Sequence, residues 1–185
     1  MRKMGIPALA LATLALLAGT APAADLPPDS IYQLDAALTS ESGKSIGLDV
    51  HRGHPVMITM FYASCPAACP LLIDTIRAVE RSLGEEQLAR TRVLMISIDP
   101  QRDTPAALLA LAKSRRIDLT RWTLATTDEA TVRRIAALLS IQYRRLPGGE
   151  FNHSSIVTVL SPDGEIRRQS SLLGRVDPEI VAAIE

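Results

Sequence analysis

Residues Val56-Met57-Ile58-Thr59-Met60-Phe61-Tyr62 are almost entirely apolar, and the residues that follow change period at once. A short, unbroken apolar run is the pattern of a strand covered on both faces, as in a parallel sheet packed between helices. From Cys65 onward the positions Cys65, Cys69, Leu72, Ile76, Val79 and Leu83 recur at spacings of 4, 3, 4, 3 and 4, which is one face of a helix. A doubly covered strand feeding straight into an amphipathic helix is half of a βαβ unit, and it commits the chain to an α/β fold.

The rest of the chain supplies the partners. Ile31–Leu38 and Ser45–Val50, separated by Ser42-Gly43-Lys44, read as a β-hairpin. Arg92–Ile98 is the next buried strand, and Asp103-Thr104-Pro105 opens a helix that runs to about Arg116, with Asp103 or Thr104 as its cap. Trp122–Ala125 is a short strand. Thr127-Asp128-Glu129 starts a helix whose Val132, Ile135, Ala136 and Leu139 form an i, i+3, i+4, i+7 stripe. After a turn at Pro147-Gly148-Gly149, a loop carries His153 into Ser155–Leu160, which pairs with Ile166–Ser170 across Ser161-Pro162-Asp163-Gly164. A last helix begins near Asp177-Pro178. The order βαβ, then α, then hairpin, then α describes a thioredoxin-like fold with an added N-terminal β-hairpin. No repeat or long linker divides it.

The amino-terminal segment reads as an address. Arg2 and Lys3 precede a 13-residue apolar run, Ile6–Ala18, and Ala21-Pro22-Ala23 offers small residues where a signal peptidase needs them. Thirteen residues fall short of the about 20 that cross a bilayer, so residues 1–23 are expected to be a cleaved signal peptide and residues 24–185 a single domain, membrane-proximal but not embedded. Removing Arg2 and Lys3 leaves 18 basic against 20 acidic residues. That balance, with six aromatic side chains in the chain, supplies neither an electrostatic footprint nor a stacking platform for nucleic acid. The expected compartment is a bacterial periplasm, where two thiols become a disulfide unless they are kept reduced or bound.

The chemistry is concentrated in Cys65-Pro66-Ala67-Ala68-Cys69-Pro70. If the helix begins at Cys65, the two sulfurs share a face about one turn apart and can address one small ion. They sit at a strand-to-helix junction, where open α/β sheets place their sites and where helix-terminal N–H groups favour thiolate. His51 and His54 flank a turn before the first central strand and read as solvated side chains; His153, in the loop expected to face the cysteine helix, is the better third ligand. Asp99, at the carboxyl end of the neighbouring strand, is a candidate for orienting a ligand from outside the first sphere, or simply a turn residue holding the Pro100 loop. Met57 and Met60 lie in the buried strand and read as core.

The segments Phe61-Tyr62-Ala63-Ser64-Cys65-Pro66-Ala67-Ala68-Cys69-Pro70-Leu71, Ser97-Ile98-Asp99-Pro100-Gln101-Arg102-Asp103-Thr104-Pro105, Asn152-His153-Ser154-Ser155 and Ser161-Pro162-Asp163-Gly164 together resemble the Sco/SenC/PrrC family of copper-binding, thioredoxin-like proteins. The resemblance covers most of the mature chain, in order. It implies a copper chaperone for the CuA centre of a haem–copper cytochrome oxidase, with copper, as Cu(I) or Cu(II), on Cys65, Cys69 and His153. It also implies as partners the CuA-bearing oxidase subunit, a periplasmic thiol reductant and another copper donor. The donor set agrees: soft thiolates select Cu(I), and an imidazole lets the same site hold Cu(II). Zinc also accepts two cysteines and a histidine.

Two other readings use the same residues. In a thiol:disulfide oxidoreductase acting on the oxidase subunit's cysteines, Cys65 attacks and Cys69 resolves, a pairing that the spacing permits. Redox-active thioredoxins, however, use C-x-x-C and place a cis-proline where this chain has Asn152-His153-Ser154. A copper or redox sensor differs only in the partner that reads the site.

Overall fold

The computed structural model describes residues 25–65 and 68–184; the expected signal peptide lies outside the described residues. The first strand expected over Ile31–Leu38 is interrupted. Ser30 Oγ accepts a hydrogen bond from Tyr32 N–H at 3.2 Å and caps a 3-10 turn, Ile31–Gln33, whose Ile31 and Tyr32 are buried. A local side-chain bond to the backbone therefore competes successfully with strand geometry. Only the second half of the segment forms β1 (Ala37–Ser40), which pairs antiparallel with β2 (Ser45–Gly47) across a turn where Gly43 takes φ 79°.

The apolar run becomes β3 (Val56–Phe61), all six residues of which are buried. It is followed by α1 (Ala68–Ser82), a short α2 (Glu85–Arg90) that sequence patterning does not reveal, and β4 (Arg92–Ser97). Next come α3 (Pro105–Ser114), β5 (Trp122–Thr126) and α4 (Glu129–Leu138). Two further short strands, β6 (Tyr143–Arg145) and β7 (Phe151–His153), form a separate antiparallel hairpin. The chain ends with β8 (Val157–Leu160), β9 (Ile166–Ser170) and α5 (Pro178–Ala182).

The main sheet runs β2-β1-β5-β4-β3-β8-β9. Strand β4 lies parallel to both β3 and β5, β8 and β1 pair antiparallel at either side of this trio, and β9 and β2 form the edges. This is a thioredoxin-like α/β sheet, and the N-terminal hairpin extends it at β5. Leu72, Ile73, Ile76 and Val79 of α1 are buried, as are Leu108 and Ala112 of α3 and Val132, Ile135 and Ala136 of α4. Met57 and Met60 are fully buried core residues, as their place in β3 implies. Among the described residues no helix is long and apolar enough to cross a membrane.

Two features position the site. Parallel β3 and β4 end side by side, with Phe61 opposite Ser97, so the loops that leave them share one edge of the sheet. The β6–β7 hairpin stands over that edge and carries His153 on a strand paired with Tyr143, rather than on the expected loop. Its three-residue strands, partly exposed, have no alternation by which sequence could reveal them.

Candidate metal centre

The cysteine loop is held from its first residue. Ala63 N–H donates to Asp103 Oδ2 at 2.8 Å, and the same oxygen accepts from Ser97 Oγ at 2.6 Å. Asp103 is 2% exposed, and burial pushes its carboxyl above the ordinary range, opposed by those two hydrogen bonds. The helix cap expected from Asp103 or Thr104 falls to Thr104, whose side chain accepts from Ala107 N–H at 3.3 Å. Asp103 instead ties the loop after β3 to the end of β4. The signal was present in sequence, since two capping side chains stood in front of one helix.

The two cysteines are in contact. Cys65 precedes α1, which is described from Ala68, and Cys69 N–H donates to Cys65 Sγ at 3.3 Å. The Cys65 sulfur thus accepts from a backbone N–H of α1 in the manner of a capping side chain, and this contact holds the pair together. Both are thiols, Cys65 half-buried and Cys69 buried. Burial raises the Cys69 pKa, and the neighbouring Cys65 adds to the effect. Metal binding at this sulfur must therefore displace a proton.

His153 is prepared as a ligand. Its Nδ1 lies 3.1 Å from the Ser154 carbonyl oxygen, which fixes the tautomer with hydrogen on Nδ1, and its Nε2 is buried with no hydrogen-bond partner among the described residues. Burial lowers the pKa of the ring, which favours the neutral form that coordinates metals. One ligand atom from each of Cys65, Cys69 and His153 lies within 4.8 Å of the other two. Two soft sulfurs and one imidazole at that spacing suit Cu(I) in a trigonal set, and zinc as well. An open groove of about 460 Å³, lined by Gln142, Tyr143, Arg144, Asn152, His153 and Ser154, runs beside the imidazole.

Asp99 is 1% exposed and contacts none of these ligands through any hydrogen bond or ion pair found among the described residues. It pairs with Arg102 and, at 3.6 Å, with Arg145 of β6; Arg102 also donates to the Gly149 carbonyl at 2.5 Å. Asp99 therefore fastens the hairpin that carries His153, acting one element away from the ligand it was expected to orient. Patterning also misses Tyr62, which is 3% exposed, packs at a tilt against Phe151 with ring centroids 5.4 Å apart and meets the His153 ring edge-on at 5.8 Å. His51 and His54 precede β3, at its opposite end. Nε2 of His51 bonds Thr123 Oγ1 at 3.1 Å, and burial depresses its pKa to about 4.

A thioredoxin-like sheet with a dithiol and an imidazole converging at its edge defines a class of metal- or redox-active proteins. Residues 28–184 match the SCO1/SenC family, and the chain belongs to it. It is 25% identical over 134 residues to a SCO2-like protein of Rickettsia typhi, a match that covers 69% of this chain and 64%, just under two thirds, of that relative. Among solved structures, a putative electron transfer protein from Aquifex aeolicus superposes with a TM-score of 0.75 at 24% identity, covering 84% of this chain and 91% of that one. ScoI of Arabidopsis thaliana, solved with copper bound, gives 0.71 at 18% identity, covering 80% and 93%. At these identities the structural likeness establishes the fold.

Proposed function

We propose that this chain is an exported, periplasmic copper chaperone that carries copper between Cys65, Cys69 and His153 and delivers it to the CuA-bearing subunit of a haem–copper cytochrome oxidase. The observation that carries this reading is His153 Nε2: a buried acceptor beside two thiols, with no partner among the described residues, is costly unless something binds there. Membership of the SCO1/SenC family and the copper in the Arabidopsis ScoI structure support it. Copper is cargo here. Three ligands leave a position for an incoming thiolate or imidazole of the acceptor, so that one bond forms before another breaks. A periplasmic thiol reductant keeps Cys65 and Cys69 available, and a copper donor loads them.

Anaerobic titration of the reduced protein, with zinc as competitor, should give one copper per chain and almost none after diamide oxidation. His153→Ala should weaken binding and change the Cu(II)–thiolate absorption without unfolding the protein. Loaded protein mixed with a reduced apo-CuA domain should then produce the purple dinuclear spectrum. Tight binding that survives oxidation, or a Cys65→Ser/Cys69→Ser double variant, rejects the site; binding without transfer rejects the chaperone role. The asymmetry of a half-buried Cys65 and a buried Cys69 favours one second reading, a dithiol reductase that attacks with Cys65 and resolves with Cys69. Such a reductase would convert an oxidised CuA domain to its dithiol with no copper present and would hardly need His153.

A further inference from the structure

The Tyr62 hydroxyl sits between the two halves of the site. It lies 3.4 Å from the Phe151 carbonyl on β7, a long hydrogen bond, and within hydrogen-bonding reach of the Cys65 side chain. The ring beneath it is wedged against Phe151 and the edge of His153. Burial, and behind it the neighbouring cysteines, raise the Tyr62 pKa, so the phenol keeps its proton at neutral pH. A phenol has one proton to donate. A metal-bound thiolate carries more negative charge than a carbonyl and is the stronger acceptor, and hydrogen bonds to a copper-bound sulfur tune its redox potential.

We propose that Tyr62 is a positioning residue of the copper site: its hydroxyl holds the histidine hairpin through Phe151 in the metal-free protein and turns its proton to the Cys65 sulfur when copper is bound. This rests on the copper reading above. The turn breaks one hydrogen bond and makes another, with no change in covalent bonds or electrons. In the loaded state the donated proton draws charge from sulfur, which weakens its donation to copper and favours Cu(I), the softer and more readily transferred ion.

Tyr62→Phe keeps the ring and removes only the hydroxyl. In the metal-free, reduced variant, amide hydrogen exchange in the β6–β7 hairpin should quicken about fivefold, the equivalent of one ordinary hydrogen bond of ~1 kcal/mol. In the Cu(II) form the thiolate-to-copper charge-transfer band should move to lower energy, and Cu(II) should be held about fivefold more tightly relative to Cu(I), for the loss of the same bond. Site-specific replacement of Tyr62 by 3-fluorotyrosine, a stronger donor of nearly the same shape, should move the band the opposite way. Faster exchange with an unmoved band overturns the proposal, because Tyr62 then only holds the hairpin; a shifted band with unchanged exchange overturns it as well. Wild-type protein that takes up no copper sinks the proposed function, whereas wild-type protein with a normal band that Tyr62→Phe leaves in place sinks this inference alone.

Discussion

Asp103 offers the sharpest test of how the cysteine loop is held. One buried carboxylate oxygen accepts from Ala63 N–H at 2.8 Å and Ser97 Oγ at 2.6 Å, and Asp103→Ala removes the acceptor of both bonds. An unsatisfied buried donor costs about 1–3 kcal/mol. The Ser97 hydroxyl can rotate toward another acceptor while the Ala63 amide cannot, which places the total at roughly 2–4 kcal/mol. Against a typical domain stability of about 5–15 kcal/mol that is a large loss. Urea unfolding of the reduced, metal-free protein should show the midpoint falling by roughly 1–2 M at an unchanged m-value. Alkylation of Cys65 should quicken in parallel, because its loop has lost its tie to β4.

Asp103→Asn separates shape from charge, since the amide oxygen can still accept both bonds. Burial holds the folded carboxyl above its ordinary pKa, so as pH rises the unfolded chain releases this proton first and the contribution of Asp103 to stability declines until the folded carboxyl ionises too. The amide has no proton to lose. The stability of wild type relative to Asp103→Asn should therefore fall as pH rises past the ordinary carboxyl pKa of about 3.9, in the direction set by the raised carboxyl. An Asp103→Ala protein within about 0.5 kcal/mol of wild type, the range of an ordinary surface change, would refute the clamp.

Asp99→Ala should leave thiol oxidation unchanged yet weaken copper binding, because it releases Arg102 and Arg145 and with them the hairpin under His153; isothermal titration beside a disulfide-formation assay reads both, and unaltered copper affinity rejects the linkage. His51, with its pKa depressed to about 4, should make the fold lose stability as pH falls from about 6.5 toward that value, since only the unfolded chain takes up the proton there. His51→Gln should flatten that part of the profile without touching copper binding, and an unchanged slope in chemical denaturation would show that His51 is not the titrating group.

What was legible in the sequence follows from what kind of signal each feature leaves. α1 and α4 announce themselves because burying one face imposes a period on the residues, as Leu72, Ile76 and Val79 do in α1, while β3 shows as an unbroken apolar run and α3 by its capping residues and Pro105. The group of Cys65, Cys69 and His153 that the fold brings together was legible for a related reason: few residue types suit soft metals, so these three stand out among 185 residues. Geometry was less so. The Cys65 sulfur accepts a hydrogen bond from Cys69 N–H, a contact that the i, i+4 spacing alone does not reveal. The 3-10 turn at Ile31–Gln33 and the β6–β7 hairpin are too short to show a period, and tertiary contacts hold the latter, chiefly Tyr62–Phe151 and the pairs around Asp99. Asp99 and Asp103 both look like turn residues, and only the folded chain reveals that each reaches a different element.

Those two aspartates belong to one turn. Asp103 N–H donates to the Asp99 carbonyl at 2.9 Å and Arg102 N–H to the same oxygen at 3.1 Å, so the backbone between them is a closed loop at the end of β4. One side chain of that loop holds the strand-to-cysteine segment through Ala63, and the other holds the histidine hairpin through Arg102 and Arg145. The sulfurs and the imidazole come from segments far apart in sequence, yet both segments are tied to one turn only a few residues long. A three-ligand site would need its donors held at a fixed spacing. Errors in the relative position of sulfur and nitrogen translate directly into lost affinity, whereas movement of the whole assembly does not. The D-P-x-R-D sequence from Asp99 to Asp103 thus fastens both segments that carry the candidate ligands, although none of its residues belongs to the group of Cys65, Cys69 and His153.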